Sequence, residues 1–199
     1  SVSLVTYSNA DAAPADGKVI PMTADVNGTW VASLSGNQNG TIYPYRAVVD
    51  GIDKEAVDPY VRATTVNGLK GVVVDLAATN PTKWSDVKPK FSGILSDASI
   101  YELHVRDLSM DSTSGISQAN KGKFLAFTET NSSYQGNKTG VAHIKDLGVT
   151  HVELLPIFDY ASVDETSPTF NWGYDPQNYN VPEGSYSSKP ANPTSRITE

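Results

Sequence analysis

Ala98-Ser99-Ile100-Tyr101-Glu102-Leu103-His104-Val105 and, further along, Val149-Thr150-His151-Val152-Glu153-Leu154-Leu155-Pro156 decide how this chain folds. Both runs are rich in β-branched, aromatic and aliphatic residues. The second stops at a proline, which cannot donate to a sheet ladder. Between them Val141, Ile144 and Leu147 recur every third residue and Gly148 follows. That spacing predicts a short helix with a glycine stop. Strand, helix and strand in close succession make a βαβ unit, whose two strands should lie parallel.

On the N-terminal side the pattern differs. Residues 1 to 88 carry dense turn signals: Asn27-Gly28, Asn39-Gly40, Asp50-Gly51 and Asn67-Gly68. Short segments with strand character lie between them, including Thr29–Leu34, Ile42–Val49 and Val72–Leu76. Alternation places Tyr43, Tyr45, Ala47 and Val49 on one face, so Trp30, Tyr43 and Tyr45 are expected in the core of a small β-sandwich. Asn80-Pro81 and Lys88-Pro89 punctuate the exit and predict a linker around residues 80–95. On the C-terminal side, residues 158–199 are rich in Pro, Asn, Ser and Tyr without a clear period. They read as one long loop, a feature that is more often functional than incidental.

Composition narrows the function. The 199 residues carry a net charge of −7, with 39% hydrophobic and 19% charged residues and no cysteine. That is enough apolar material for a packed core. The missing cysteine excludes disulfides, thiolate catalysis and Cys-ligated zinc. The negative charge, with no Lys/Arg cluster in sequence to offset it, argues against a nucleic-acid partner. No apolar run approaches the ~20 residues of a membrane span. A neutral substrate such as a sugar meets no charge penalty.

The chemistry-bearing stretch is Asn171-Trp172-Gly173-Tyr174-Asp175-Pro176. Sugar rings offer apolar C–H faces to aromatic planes and hydroxyl edges to amides and carboxylates, and a glycine lets the backbone approach closely. Taken alone, such an aromatic loop more often packs as a satellite of the core. His104 lies two positions from Glu102, on the same strand face. An acid/base pair is one reading and a structural hydrogen bond the favoured one. His143 falls on an exposed helix side, and His151 opens the second strand, where packing is the default. The histidine spacing offers no transition-metal motif. Nor does the spacing of Glu102, Asp107, Glu153, Asp159 and Asp175 place any two carboxylates in catalytic register.

These residues resemble a known family. Tyr101–Ser109, Asn120–Glu129 and Gly148–Asp159 resemble the first barrel strand, its excursion and the second strand of type I pullulanases. These are α-1,6-glucan debranching enzymes of the α-amylase superfamily, glycoside hydrolase family 13. Phe170–Pro176 is close to the family signature Tyr-Asn-Trp-Gly-Tyr-Asp-Pro, with Phe170 in place of the first tyrosine, and Asn178–Ser187 continues it. Gly28-Thr29-Trp30, Gly40–Tyr45, Asp58-Pro59-Tyr60 and Gly71–Asp75 resemble the starch-binding-like β-sandwich, the CBM48 type, that precedes the catalytic barrel.

The resemblance implies an immunoglobulin-like CBM48 β-sandwich over residues 1–90. The first part of a (β/α)₈ TIM barrel would follow over 91–199, incomplete in this chain. It implies retaining hydrolysis of α-1,6 bonds in pullulan, starch or glycogen. The family's Asp nucleophile, Glu acid/base and second Asp lie on later barrel strands, so no catalytic residue is carried over here; they are expected beyond Glu199. Such a barrel takes about 250 residues, so the remainder of the catalytic domain, a second chain included, is an expected partner. Tyr174 carries over as the ring that stacks on the sugar before the scissile bond. Asp175 would bond that sugar or orient Tyr174, and Asn171, Trp172 and Asp159 would line or brace the pocket. No metal site and no required cofactor are implied, with calcium left open. The expected location is extracellular or on the surface of a Gram-positive-type bacterium, with the cytoplasm as the other option. Isoamylase-like or branching enzymes share the module order, though the Asn171–Pro176 signature favours a pullulanase. A non-catalytic glucan-binding fragment is the reading from another class.

Overall fold

The computed structural model describes residues 1–82, 84 and 91–199. The boundary expected between residues 90 and 91, and much of the expected linker, fall on or beside residues 83 and 85–90, outside the described residues.

Four antiparallel strands organise the first half: β1 (Val2–Thr6), β2 (Lys18–Pro21), β3 (Tyr45–Val49) and β4 (Ile52–Ala56), in the order β2-β1-β3-β4. Asp50 and Gly51 both take positive φ, at 52° and 77°. This is the two-residue turn whose twist matches a hairpin, and it joins β3 to β4. Val5 and Tyr7 are buried beneath the sheet. The Tyr7 hydroxyl donates to the Glu55 carboxylate, with oxygens at 2.8 and 2.9 Å. A second ladder pairs Ile42–Tyr43 with Gly71–Val72.

Two expectations for this half change. The strand expected over Ile42–Val49 breaks at Pro44, which has no N–H for a ladder. Its carbonyl instead accepts from Val5 N at 3.1 Å. Tyr43 and Tyr45 therefore sit in different sheets, their rings edge-on at 5.9 Å. Trp30 is not core. Among the described residues its strand shrinks to Trp30–Val31, paired with Thr23–Ala24, and the residue stays 38% exposed. A two-residue ribbon is too small to cover an indole.

In the second half the βαβ reading holds. Strands β5 (Ile100–Leu103) and β6 (His151–Leu154) pair in parallel, with Ile100 opposite His151 and Glu102 opposite Glu153. Helix α1 (Gly140–Leu147) stops at Gly148, whose left-handed φ of 72° forms the expected cap. Ile144 is its buried residue, while Leu147 remains exposed.

The expected long loop is instead structured. Strand β7 (Phe158–Tyr160) pairs antiparallel with β8 (Pro176–Pro182), and helix α2 (Pro193–Thr198) follows, its Asn192 side chain capping Ser195 N. The register shifts twice along β7, which destroys the alternation that would have marked these strands in sequence. Val105, Tyr160, Val163 and Tyr186 form the core here, with Phe124, Phe127 and Ile157 packed against them.

The two halves meet through a hydrogen-bonded hub, and apart from it Thr198 Oγ1 donates to the Thr79 carbonyl at 3.0 Å. Asn67 N donates to Glu165 Oε2 at 2.7 Å, and Glu165 N donates to Asn67 Oδ1 at 2.9 Å. The Arg196 guanidinium on α2 forks onto the same carboxylate at 2.9 and 2.5 Å, with both side chains 1% exposed or less. Removing one partner of such a pair strands a buried charge. Arg196→Ala should therefore lower the unfolding free energy by about 3–5 kcal/mol, measured by urea titration.

Candidate functional site

Beyond the ends of β5 and β6 opens a cavity of about 460 Å³, lined by Glu102, Glu153, Leu154, Leu155, Pro156, Phe158, Gly173, Tyr174, Pro176 and Tyr179. Its volume falls in the range of small-molecule sites. Tyr174 enters this lining with 70% of its surface free.

The loop carrying Tyr174 is held by side chains spent on bracing. Asn171 Oδ1 accepts from Gly173 N at 2.9 Å. Its Nδ2 donates to Ser162 Oγ at 2.7 Å and to Ser162 O at 3.1 Å. Asp175 Oδ2 accepts from Ser162 N at 2.8 Å. Gly173 has φ 80°, and a Cβ there would meet Pro156 Cβ and the Tyr160 ring, each at 3.1 Å. Only glycine permits both that φ and that approach.

Beneath the loop lies His104, which is buried. Its Nδ1 accepts from Arg106 N at 3.2 Å, which leaves the proton on Nε2. Nε2 donates to the Asn171 carbonyl at 2.8 Å, and the Tyr186 hydroxyl lies 3.2 Å from it. Phe170 stacks on the imidazole at 5.1 Å, and Trp172 meets Phe170 edge-on at 5.0 Å. The histidine is a structural hydrogen-bonding group. Strand β5 ends at Leu103, so His104 turns inward while Glu102 stays exposed at the cavity.

Of the five residues singled out in sequence, Tyr174 alone lines the cavity. Asn171 and Asp175 brace its loop, and the exposed Trp172 packs on Phe170. Asp159 is buried behind β7, where Asn178 Nδ2 donates to it at 2.5 Å. Glu102 and Glu153 enter the sequence reading only as carboxylates without catalytic register, Glu102 also beside His104, and Phe158 and Tyr179 are not among its site residues. The parallel register sets the two glutamates side by side, and Phe158 faces Tyr179 at 6.1 Å across the β7–β8 pair. Their signal was strand register, which residue spacing alone does not carry. Together these groups offer apolar ring faces and hydroxyl acceptors to a neutral polyhydroxylated ligand.

Asp159, Glu165 and Glu183 each place a carboxylate oxygen within 4.8 Å of the others. Asn178, Arg196 and the amides of Asn67, Tyr160 and Ser185 already donate to them. The guanidinium would repel a cation, so the chemistry of the trio fits a hydrogen-bonded hub better than calcium. Burial pushes the Asp159 carboxyl up to about 7, the Asn178 donor opposing and the Glu165 and Glu183 carboxylates adding to the rise. Burial also raises Glu183, against its amide donors.

Comparison with known proteins places the chain in a family, the pullulanases. No family model matches the chain. The chain is homologous to a part of pullulanases. It is 43% identical to the pullulanase of Bacillus subtilis (strain 168) over 186 residues, covering 92% of the chain and 25% of that relative. Crystal structures of the pullulanase from Paenibacillus barengoltzii share 50% identity over 99% of the chain. The apo form superposes with a TM-score of 0.92 over 30% of its length. The complex with maltohexaose and α-cyclodextrin gives the same TM-score over 31%. The chain thus spans a quarter to a third of the length of these relatives.

Two outcomes follow from the bracing. His104→Ala leaves the Asn171 carbonyl without its donor. It should cost about 1–3 kcal/mol and speed hydrogen exchange at the Ser162 and Gly173 amides, while Val5 N in β1 keeps its protection. For Asp159, the unfolded carboxyl releases its proton near pH 4, whereas the folded one holds it to about 7. Stability should therefore fall as pH rises across that window and level off above it. Asp159→Asn should flatten the decline in thermal midpoint measured against pH.

Proposed function

We propose that this chain is part of a debranching glycoside hydrolase that cleaves α-1,6-glucosidic bonds in pullulan, starch or glycogen with retention of configuration. The observation that carries the proposal is Tyr174: an exposed ring on a fully braced loop, opening into an aromatic- and carboxylate-lined cavity at the ends of two parallel strands. The homology to pullulanases along nearly the whole chain supports it, as does the oligosaccharide complex of the Paenibacillus barengoltzii enzyme.

In this reading residues 1–90 form a CBM48-type β-sandwich. The antiparallel sheet and the Ile42–Tyr43 ladder support that assignment. Residues 91–199 open a (β/α)₈ barrel, with β5-α1-β6 as its first βαβ unit. Barrel active sites lie at the C-terminal ends of the strands, where this cavity sits. Tyr174 stacks on the sugar before the scissile bond, Glu102 and Glu153 accept hydroxyls, and Asn171, Trp172, Asp175 and Asp159 hold the loop and its support. The nucleophile and acid/base come from the rest of the catalytic domain. The reaction needs those carboxylates and no cofactor or metal. An extracellular or cell-surface setting suits polymeric glucans, and among the described residues no helix is long and apolar enough to cross a membrane.

In the enzyme that contains this segment, Tyr174→Ala should lower kcat/KM on pullulan about 100-fold, or ~2.7 kcal/mol, while Tyr174→Phe keeps most of the rate. An unchanged rate in Tyr174→Ala, with the fold intact by circular dichroism, would reject the stacking role.

A further inference from the structure

A second cavity differs from the first in charge. It measures about 160 Å³ and is lined by Arg106, Met110, Lys121, Gly122, Lys123, Pro168, Thr169, Ser185 and Tyr186. Three cations and no carboxylate face it, in a chain whose net charge is −7. The sugar-sized cavity carries two glutamates, and the groove holding Arg46 also holds Asp53 and Glu55.

We propose that this cavity is an oxyanion site that takes a phosphate group, either carried on a glucan or free in solution. The three cations are half-buried and have donors to spare. Lys123 Nζ donates to the Ser185 carbonyl at 2.8 Å, and Lys121 Nζ to the Asp111 carbonyl at 2.7 Å. Each leaves two of its three ammonium hydrogens for another acceptor. Arg106 meets one carboxylate, Asp107, at 3.4 Å, and its guanidinium lies 6.0 Å from the Phe170 ring centroid. That leaves most of its fork open for bidentate contact. Glu183 and Glu199 act on Lys123, and Asp111 on Lys121, from outside the lining. Burial still holds the Lys123 ammonium below the usual lysine range. A half-buried ammonium held mainly by a carbonyl is stabilised when an anion arrives.

The geometry is built into the backbone. Gly122 takes φ 72°, and a Cβ there would meet Met110 Sδ at 2.9 Å and Arg106 Cγ at 3.4 Å. Gly122 N also donates to the buried Ser109 Oγ at 2.7 Å. The Lys121–Lys123 turn is thereby pressed against Arg106. The cavity is too small for an oligosaccharide and suits a compact anion. Arg106 and Phe170 join it to the loop that carries Tyr174, so a phosphate borne on a glucan lies within reach of the same face.

Inorganic phosphate titrated calorimetrically into the full chain should bind saturably and more weakly as salt rises. Lys121→Ala and Lys123→Ala should each weaken binding about tenfold, a loss of ~1.4 kcal/mol. Lys121 holds the surface Asp111 carbonyl and lies near that residue's exposed carboxylate, so its variant stays informative if Lys123→Ala unfolds. A phosphorylated maltodextrin binding over about tenfold tighter than inorganic phosphate identifies the glucan-borne group; equal affinity identifies free phosphate. No saturation at concentrations on the order of 10 mM, or affinity unchanged in both folded variants, would overturn the proposal. Neutral maltohexaose serves as the separate arm: its binding tests the debranching reading and is independent of the phosphate result.

Discussion

Glu165 is a carboxylate almost wholly removed from water, and the fold is arranged to make that tolerable. An isolated buried charge costs several kcal/mol, so it demands an opposite charge and full hydrogen bonding. Arg196 supplies the charge from helix α2, and Asn67 supplies a reciprocal backbone and side-chain clasp from the first half. Two segments distant in sequence are thereby tied to one side chain. The β7–β8 pair sits against this tie: Asn178 donates both to the Gly68 carbonyl and to Asp159. The loop with Tyr174 leads into β8, so the placement of the exposed ring is inherited from a buried ion pair.

Division of labour follows from the same economy of polar groups. Asn171 and Asp175 look in sequence like ligand-binding groups, yet their side chains hold Ser162 and Gly173. His104 serves the Asn171 carbonyl from below. What remains for a ligand is the ring of Tyr174, the rings of Phe158 and Tyr179, and the Glu102–Glu153 pair. A rigid loop loses little entropy on binding, which makes an exposed aromatic effective as a stacking surface. The two cavities differ in charge: one is acidic and aromatic, the other basic and compact.

The parts legible in sequence were those governed by local rules. The three-residue spacing of Val141, Ile144 and Leu147 with Gly148 marked α1 and its cap, and two apolar runs around it marked a parallel pair. Elements that depend on distant partners were not legible. The β7–β8 pair is the clearest case: two register shifts in β7 erase the period-two signal, and β8 reads Pro-Gln-Asn-Tyr-Asn-Val-Pro. Trp30 looked like core because alternation reports strand character, whereas burial depends on what packs above it.

Sequence alone determined the family resemblance, the βαβ unit, the sheet-rich first half and Tyr174 as the residue to watch. All rest on short-range pattern or on matching motifs. Tertiary structure decided that Glu102 and Glu153 share a cavity, that Asp159 is buried in the hub, and that Arg106, Lys121 and Lys123 converge. Each of these needs chain segments far apart in sequence to meet, and their meeting is set by packing, register and the satisfaction of buried charge.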